Sequence, residues 1–322
     1  MKKTLEGRVA VVAGATRGVG RGIACALGEA GATVYCTGRS TRARPNTTGY
    51  FAGRPESIDE TAEMVTARGG RGVAVRVDHL VPAEVESLFE RVRGERGRLD
   101  VLVNDISEGE AHDWKPFWQV SLEKGFRALR QGVNTHVVTS RYAAPLMIER
   151  GSGLIVEIGD GDSLSYRGTL FYDLVKVNVS RLAYAMAEEL REHNVAAVAL
   201  TPGYTRTETV LEHFGVTEEN WREGAKRDPN FANSESPLFV GRAVAALAAD
   251  PKVLEKSGGL YSSWGLANEY GFTDADGSRP DIWTHLSRDD SPRGKRRAGF
   301  RWTITPPVSK RPNKRKTGES IV

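Results

Sequence analysis

The sequence predicts an α/β protein, a doubly wound parallel sheet of about seven strands with helices on both faces. Three observations carry this. Short apolar runs alternate with helix-forming stretches over most of the chain. The first run, residues 9–13, is apolar at every position, as a parallel strand buried on both faces must be. That run meets glycines at Gly14, Gly18 and Gly20 and then a helix-forming segment at 23–29. A strand that turns abruptly into a helix leaves the helix's first N–H groups unpaired at the sheet's end, and those donors and the helix dipole favour a phosphate. Gly14 permits the tight turn, Gly18 lets the backbone approach a pyrophosphate, and Gly20 allows the helix to pack closely on the strand.

The remaining elements follow in order. A second strand at 33–37 ends in Gly38-Arg39-Ser40, and a Gly, Pro and Thr-rich loop at 44–53 leads to a helix at about 57–68, stopped by Gly69-Gly70. A third strand at 72–77 ends at Asp78-His79, an amphipathic helix spans 82–93, and a fourth strand at 99–103 ends at Asn104. An aromatic insertion at 105–123, with Trp114, Phe117 and Trp118, either walls an apolar pocket or anchors its own loop. Then come a helix at about 124–150, a fifth strand at 154–158, a helix at about 171–193 and a sixth strand at 196–200 ending in Thr201-Pro202-Gly203. A mostly helical excursion at 205–249 precedes a last strand at about 259–263. With no internal repeat and no second glycine fingerprint, residues 1–285 read as one domain.

A chain of 322 residues with 39% apolar residues can bury a sizeable core. Its net charge of +4 is uneven: residues 286–322 hold 11 Lys/Arg against 3 Asp/Glu, which leaves residues 1–285 at about −4. The basic tail, with Lys295-Arg296-Arg297 and Lys314-Arg315-Lys316, reads as a solvated, partly disordered extension; no helix-turn-helix, zinc pattern or stacking platform marks it for nucleic acid. Met1-Lys2-Lys3 is followed by Thr4, Leu5 and Glu6, and the longest clean apolar run is far too short to span a bilayer, so we expect a soluble, cytoplasmic protein. Cys25 and Cys36 read as buried small hydrophobes.

Ligands of such sheets bind at the carboxyl ends of the strands, where Arg39, Asp78, Asn104, Asp160 and Thr201 recur. Tyr172 and Lys176 stand four apart at the start of the helix after strand five, on one helical face. An ammonium beside a phenol favours the phenolate, as a proton donor to a carbonyl requires. At the end of strand two, where an NAD enzyme places a carboxylate for the ribose 2′-OH, the chain has Gly38 and Arg39, and Arg17 lies inside the glycine turn. Two guanidiniums suit a 2′-phosphate, which points to NADP(H).

Taken together, Gly14-x3-Gly18-x-Gly20, Asp78, Asn104, Asn134, Tyr172-x3-Lys176 and Pro202-Gly203 resemble, in order and spacing, the short-chain dehydrogenase/reductase family over about residues 5–270. Residues 257–277 look most like the subgroup of dehydrogenase/reductase SDR family member 1. The resemblance implies a Rossmann-type fold and carbonyl reduction with Tyr172 as general acid, Lys176 holding the nicotinamide ribose and Asn134 anchoring a relay water. It further implies that Asp78 contacts the adenine, that Asn104 supports the adenosine end, and that Pro202, Gly203, Thr205 and Thr207 border the nicotinamide. Thr16, Val19 and His79 join them as expected cofactor contacts. A homodimer or homotetramer through the helices at 124–150 and 171–193 is implied as well.

The chain departs from the family where a serine should polarise the substrate oxygen, 13 or 12 residues before the tyrosine; Gly159 and Asp160 stand there. Losing one such donor costs roughly 10²–10³ in rate. Ser163 could substitute if the loop bends back, or Asp160 could stay protonated and donate. The family's Asn-Asn-Ala-Gly run is altered to Asn104-Asp105-Ile106-Ser107, and Ala13 replaces the usual threonine. There is no Gly-x-Ser-x-Gly elbow, and the six histidines form no metal-ligand pair; His112-Asp113 reads as a loop pair. The leading expectation is an NADPH-dependent carbonyl reductase acting on an apolar or aromatic small molecule. The alternatives are a catalytically impaired NADP-binding sensor or partner subunit, and a non-redox reaction with Asp160 as base.

Overall fold

Seven strands lie side by side in the order 71–76, 33–38, 9–13, 101–104, 153–158, 195–201 and 260–262, every neighbouring pair parallel. The computed structural model describes residues 3–47, 49–107, 115–161 and 166–288. The strands are β1 (Val9–Ala13), β2 (Thr33–Gly38), β3 (Arg71–Arg76), β4 (Val101–Asn104), β5 (Gly153–Ile158), β6 (Val195–Thr201) and β7 (Leu260–Ser262). The helices are α1 (Gly18–Glu29), α2 (Ile58–Ala67), α3 (Pro82–Arg96), α4 (Leu122–Leu129), α5 (Thr135–Arg150), α6 (Leu170–Leu190), α7 (Glu208–Phe214), α8 (Pro237–Ala249), α9 (Ser263–Tyr270) and α10 (Ile282–Arg288).

Period-two alternation explains why the strands are apolar throughout. Ala10 and Val12 of β1 join the core shared with α1, α2 and α8, whereas Val9 and Val11 join the core shared with α3, α5 and α6. The chain winds outward from β1 to β3 and then crosses back to β4 on the other side of β1. That reversal opens a crevice at the carboxyl ends of β1 and β4.

Helix ends are set locally. Ser57 caps α2 by accepting from the Glu60 N–H at 3.2 Å, Pro82 begins α3, and Gly97 ends α3 in the left-handed region at φ 63°. Helices α1 and α8 cross at glycines, where a Cβ on Gly22 would stand 2.2 Å from the Pro237 carbonyl oxygen.

Several boundaries differ from the expected ones. Helix α1 starts at Gly18 rather than 23, directly after the extended Arg17. Strand β4 starts at Val101 rather than 99, and the Asp100 just before it places its carboxylate on the Val9 N–H at 2.8 Å and on Arg8 and Arg98. The expected helix at 124–150 is α4 and α5 joined through a π-helical turn, Arg130–Asn134. The 205–249 excursion comprises α7, two 3₁₀ turns and α8 over a small cluster of Phe214, Trp221 and Phe231. Helices α9 and α10, which no sequence signal announced, follow β7, and α10 runs past the expected boundary at 285. Both cysteines are buried free thiols. No helix among the described residues is long and apolar enough to cross a membrane. Trp114, the His112-Asp113 pair and residues 289–322 lie outside the described residues.

Gly22→Val should therefore lower stability by about 1–3 kcal/mol, the usual cost of overpacking. Gly94→Ala on α3, where nothing lies within 4 Å of an added Cβ, should gain up to about 1 kcal/mol. Urea unfolding of the two variants checks both signs.

Candidate active site

Beyond Ala13 the chain turns through Gly14 (φ 93°) and Gly18 (φ 58°), a left-handed region that favours glycine. The turn is tied down by the Gly14 and Ala15 N–H groups, which donate to the Thr37 carbonyl at the end of β2. Closeness decides the third glycine: a Cβ on Gly20 would lie 2.4 Å from the Gly14 carbonyl oxygen. Helix α1 begins here with no capping side chain and no acid in its first turn.

A cleft of about 510 Å³ opens over this turn. Gly14, Thr16, Arg17, Gly18 and Val19 form its floor, Arg39 and Asp78-His79 one side, residues 105–107 the centre, and Tyr172 the far end with Thr207 to Val210 above. Gly20 packs behind the turn. Asn104, Lys176, Pro202, Gly203 and Thr205 do not line the cleft.

Charge on the cleft is organised by arginine. The Arg17 Nε donates to Glu56 at 3.2 Å, its guanidinium lies 4.7 Å over the Phe51 ring, and its Nη2 is buried without a hydrogen-bond partner. Glu56 also accepts from Arg54 at 2.6 Å. Burial works against the Arg17 charge and outweighs Glu56, so its pKa is lowered. Arg39 is exposed on the cleft.

Two buried polar clusters underlie the strand ends. His79 has Thr37 Oγ1 at 2.8 Å from Nε2 and Thr139 Oγ1 at 2.8 Å from Nδ1, and burial pushes its pKa down to about 3. Both hydroxyls also donate to backbone carbonyls, Thr139 to that of Thr135 and Thr37 to that of Val12. His79 therefore reaches the cleft as a fixed wall. His136 is the opposite case. Its Nδ1 faces Glu157 Oε2 at 2.5 Å and its Nε2 faces the Ile106 carbonyl at 3.0 Å. Both contacts favour a ring that donates from each nitrogen. Burial opposes a charge on the ring, but Glu157 and the Ile106 carbonyl outweigh it and raise the pKa. Asn104 donates to Glu157 at 2.6 Å and to Ser140 at 2.9 Å, which turns its side chain into the protein and away from the cleft.

Beyond β5, the Gly161 N–H donates to Thr201 Oγ1 at 2.6 Å and fixes the turn that carries Asp160. Tyr172, in the first turn of α6, donates from its phenol to Asp160 Oδ2 at 2.7 Å. Lys176 Nζ lies 5.2 Å from the centre of the Tyr172 ring, one turn along the same face. Glycines place this helix: a Cβ on Gly132 of the π turn would lie 2.5 Å from Val175. Asn134, at the end of that turn, is exposed, while Gln131 and Thr135 face the cleft. Ser163 lies outside the described residues. Gly203 packs on Glu235, whose carboxyl is buried, receives the Ser263 hydroxyl at 2.6 Å and is pushed by burial up to about 8. Thr207 caps α7 by accepting from the Val210 N–H, and Thr205 forms an isolated bridge to Glu235.

Sequence reasoning missed Glu56, Glu208 and the His136–Glu157 pair. Only the pair left a signal, a lone carboxylate inside the apolar run Leu154-Ile155-Val156-Glu157-Ile158, which demands a buried partner.

The family model described as short chain dehydrogenase matches residues 8–214. The chain is 39% identical over 284 residues to dehydrogenase/reductase SDR family member 1 of Mus musculus, covering 86% of each chain. It is 37% identical over 293 residues to the Homo sapiens protein of that name, covering 89% of each. Among solved structures, a short chain dehydrogenase of Mycobacterium thermoresistibile shares the fold with a TM-score of 0.70 at 22% identity, over 87% of this chain and 95% of that one.

The two histidines have opposite pH signatures. Below about pH 6.5 the unfolded chain protonates His79 while the folded chain does not, so stability falls on the order of 1 kcal/mol per pH unit until pH 3 is approached. The His136 contribution is present in that window and fades as pH rises through its raised folded pKa. Urea midpoints measured against pH should show a shallower acid slope for His79→Gln than for the wild type.

Proposed function

The chain belongs to the short-chain dehydrogenase family, and on that premise we propose that it is an NADP(H)-dependent oxidoreductase that reduces a ketone or aldehyde carbonyl, or oxidises the matching alcohol. One observation carries this: the Tyr172 phenol, bonded to Asp160 and one turn from Lys176, closes the end of a cleft built over a phosphate-type strand–turn–helix unit.

The cleft's residues fit the dinucleotide. The first N–H groups of α1 hold the pyrophosphate, the orphaned Arg17 Nη2 and the exposed Arg39 meet a 2′-phosphate, and no acid ends β2 to receive a 2′-OH. Asp78 serves the adenine end, and Thr207, which lines the cleft, backs the nicotinamide, with Pro202, Gly203 and Thr205 set behind the lining. When bound, the nicotinamide supplies or accepts the hydride. Tyr172 turns its proton from Asp160 to the substrate oxygen, and Lys176 holds the ribose and stabilises the phenolate left behind. Asp160 stands where the family resemblance implies a serine and holds the Tyr172 hydroxyl in place. The relay water is assigned to the π turn, through the cleft-facing Gln131 rather than the exposed side chain of Asn134.

A homodimer or homotetramer in the cytoplasm completes the reading, supported by the exposed apolar face of Phe117, Trp118, Leu122 and Phe126 beside α4. The Tyr172–Asp160 bond also favours a second reading, a nucleotide-binding protein in which Asp160 keeps the phenolic proton engaged.

Tryptophan-fluorescence titration should show NADPH binding more tightly than NADH, with Arg39→Ala weakening NADPH about tenfold and NADH little. Tyr172→Phe should bind NADPH normally and lose turnover by about 10²–10⁴. Asp160→Ser separates the two readings: loss of activity fits a working Asp160, and a gain in carbonyl reduction fits an impaired site.

A further inference from the structure

Helix α1 has no cap of its own, yet its first N–H is occupied. The Gly18 N–H donates to Oε2 of Glu208 at 2.8 Å, across 190 residues of chain. The other Glu208 oxygen lies 3.6 Å from Arg21 Nη1. A carboxylate thus sits where a phosphate oxygen sits at a helix N-terminus, held by the same donor and dipole. Glu208 opens α7, and α7 is held at a second point: Arg54 grips Glu212 with two nitrogens, at 2.7 and 2.8 Å. The Arg54 guanidinium also pairs with Glu56, which pairs with Arg17, so the second anchor reaches the cleft floor.

We propose that α7 is a latch over the dinucleotide cleft, with Glu208 as an internal substitute for phosphate that the cofactor's pyrophosphate must displace. This rests on the cleft taking a dinucleotide. The reasoning is competitive. One N–H cannot serve a carboxylate and a phosphate oxygen at once, and two anions a few ångströms apart over a partly dry floor repel. The dinucleotide therefore binds the fraction of molecules in which Glu208 has left Gly18, and its apparent dissociation constant is raised by the inverse of that fraction. The residue that follows the Thr207 cap consequently sets cofactor affinity without touching the reacting atoms. Displacement also frees the start of α7 while the Arg54–Glu212 pair keeps its far end attached.

The test is a titration of the full chain, wild type, Glu208→Gln and Glu208→Ala, with NADPH and separately with inorganic pyrophosphate, following tryptophan fluorescence and checking the fold by circular dichroism. Glu208→Ala should bind both probes about tenfold more tightly and associate with NADPH faster, with Glu208→Gln between it and the wild type, because its amide oxygen still accepts without the charge. A wild type that binds no NADPH beside a Glu208→Ala variant that does would support the latch still more strongly. Folded variants that bind NADPH as the wild type does, or more weakly, would overturn the latch and leave the dinucleotide cleft standing. If no form binds either probe, the cleft reading and the latch fall together.

Discussion

An α-helix that begins directly off a buried strand must find acceptors for its first N–H groups, and α1 carries none in its own sequence. Much of the site answers that deficit. The glycines that let β1 turn into α1 also bring the backbone of 105–107 against the turn: a Cβ on Gly14 would lie 2.4 Å from the Asp105 carbonyl oxygen. The same close packing places the ends of β1, β2 and β4 around one crevice. Any group that fills this end of the helix, whether phosphate or carboxylate, acts on the whole arrangement.

The fold was legible because its signals are local. Residues 9–13 are the first strand, and alternation between the two cores explains their unbroken hydrophobicity. Tyr172 and Lys176 were legible for the same reason, since helical spacing alone puts them on one face. The π turn at Arg130–Asn134 was not, because π and α geometry use the same residue types, and it rotates Asn134 outward while Gln131 and Thr135 face in. Long-range pairs were equally invisible. Arg17 reads as a free guanidinium until Glu56, 39 residues on, is folded against it.

Below the strand ends, charge and neutrality are sorted by partner. Burial holds the His79 pKa down between two hydroxyls, whereas Glu157 and a carbonyl raise that of His136, although both rings are buried. A buried ion pair such as His136–Glu157 contributes little net stability over a well-packed apolar pair, but removing one partner strands the other. Its position beneath Ile106 makes the centre of the cleft a rigid surface. Asp160 differs in kind, because it follows the end of β5, is only half-buried and accepts the Tyr172 hydroxyl.

The 190 residues between Gly18 and Glu208 also impose an order in time. Chains grow at roughly 5–20 residues per second, so the glycine turn leaves the ribosome on the order of ten to forty seconds before the carboxylate that later covers it. The contact between Gly18 and Glu208 therefore closes only after most of the chain has been made, and it is among the late contacts of the fold.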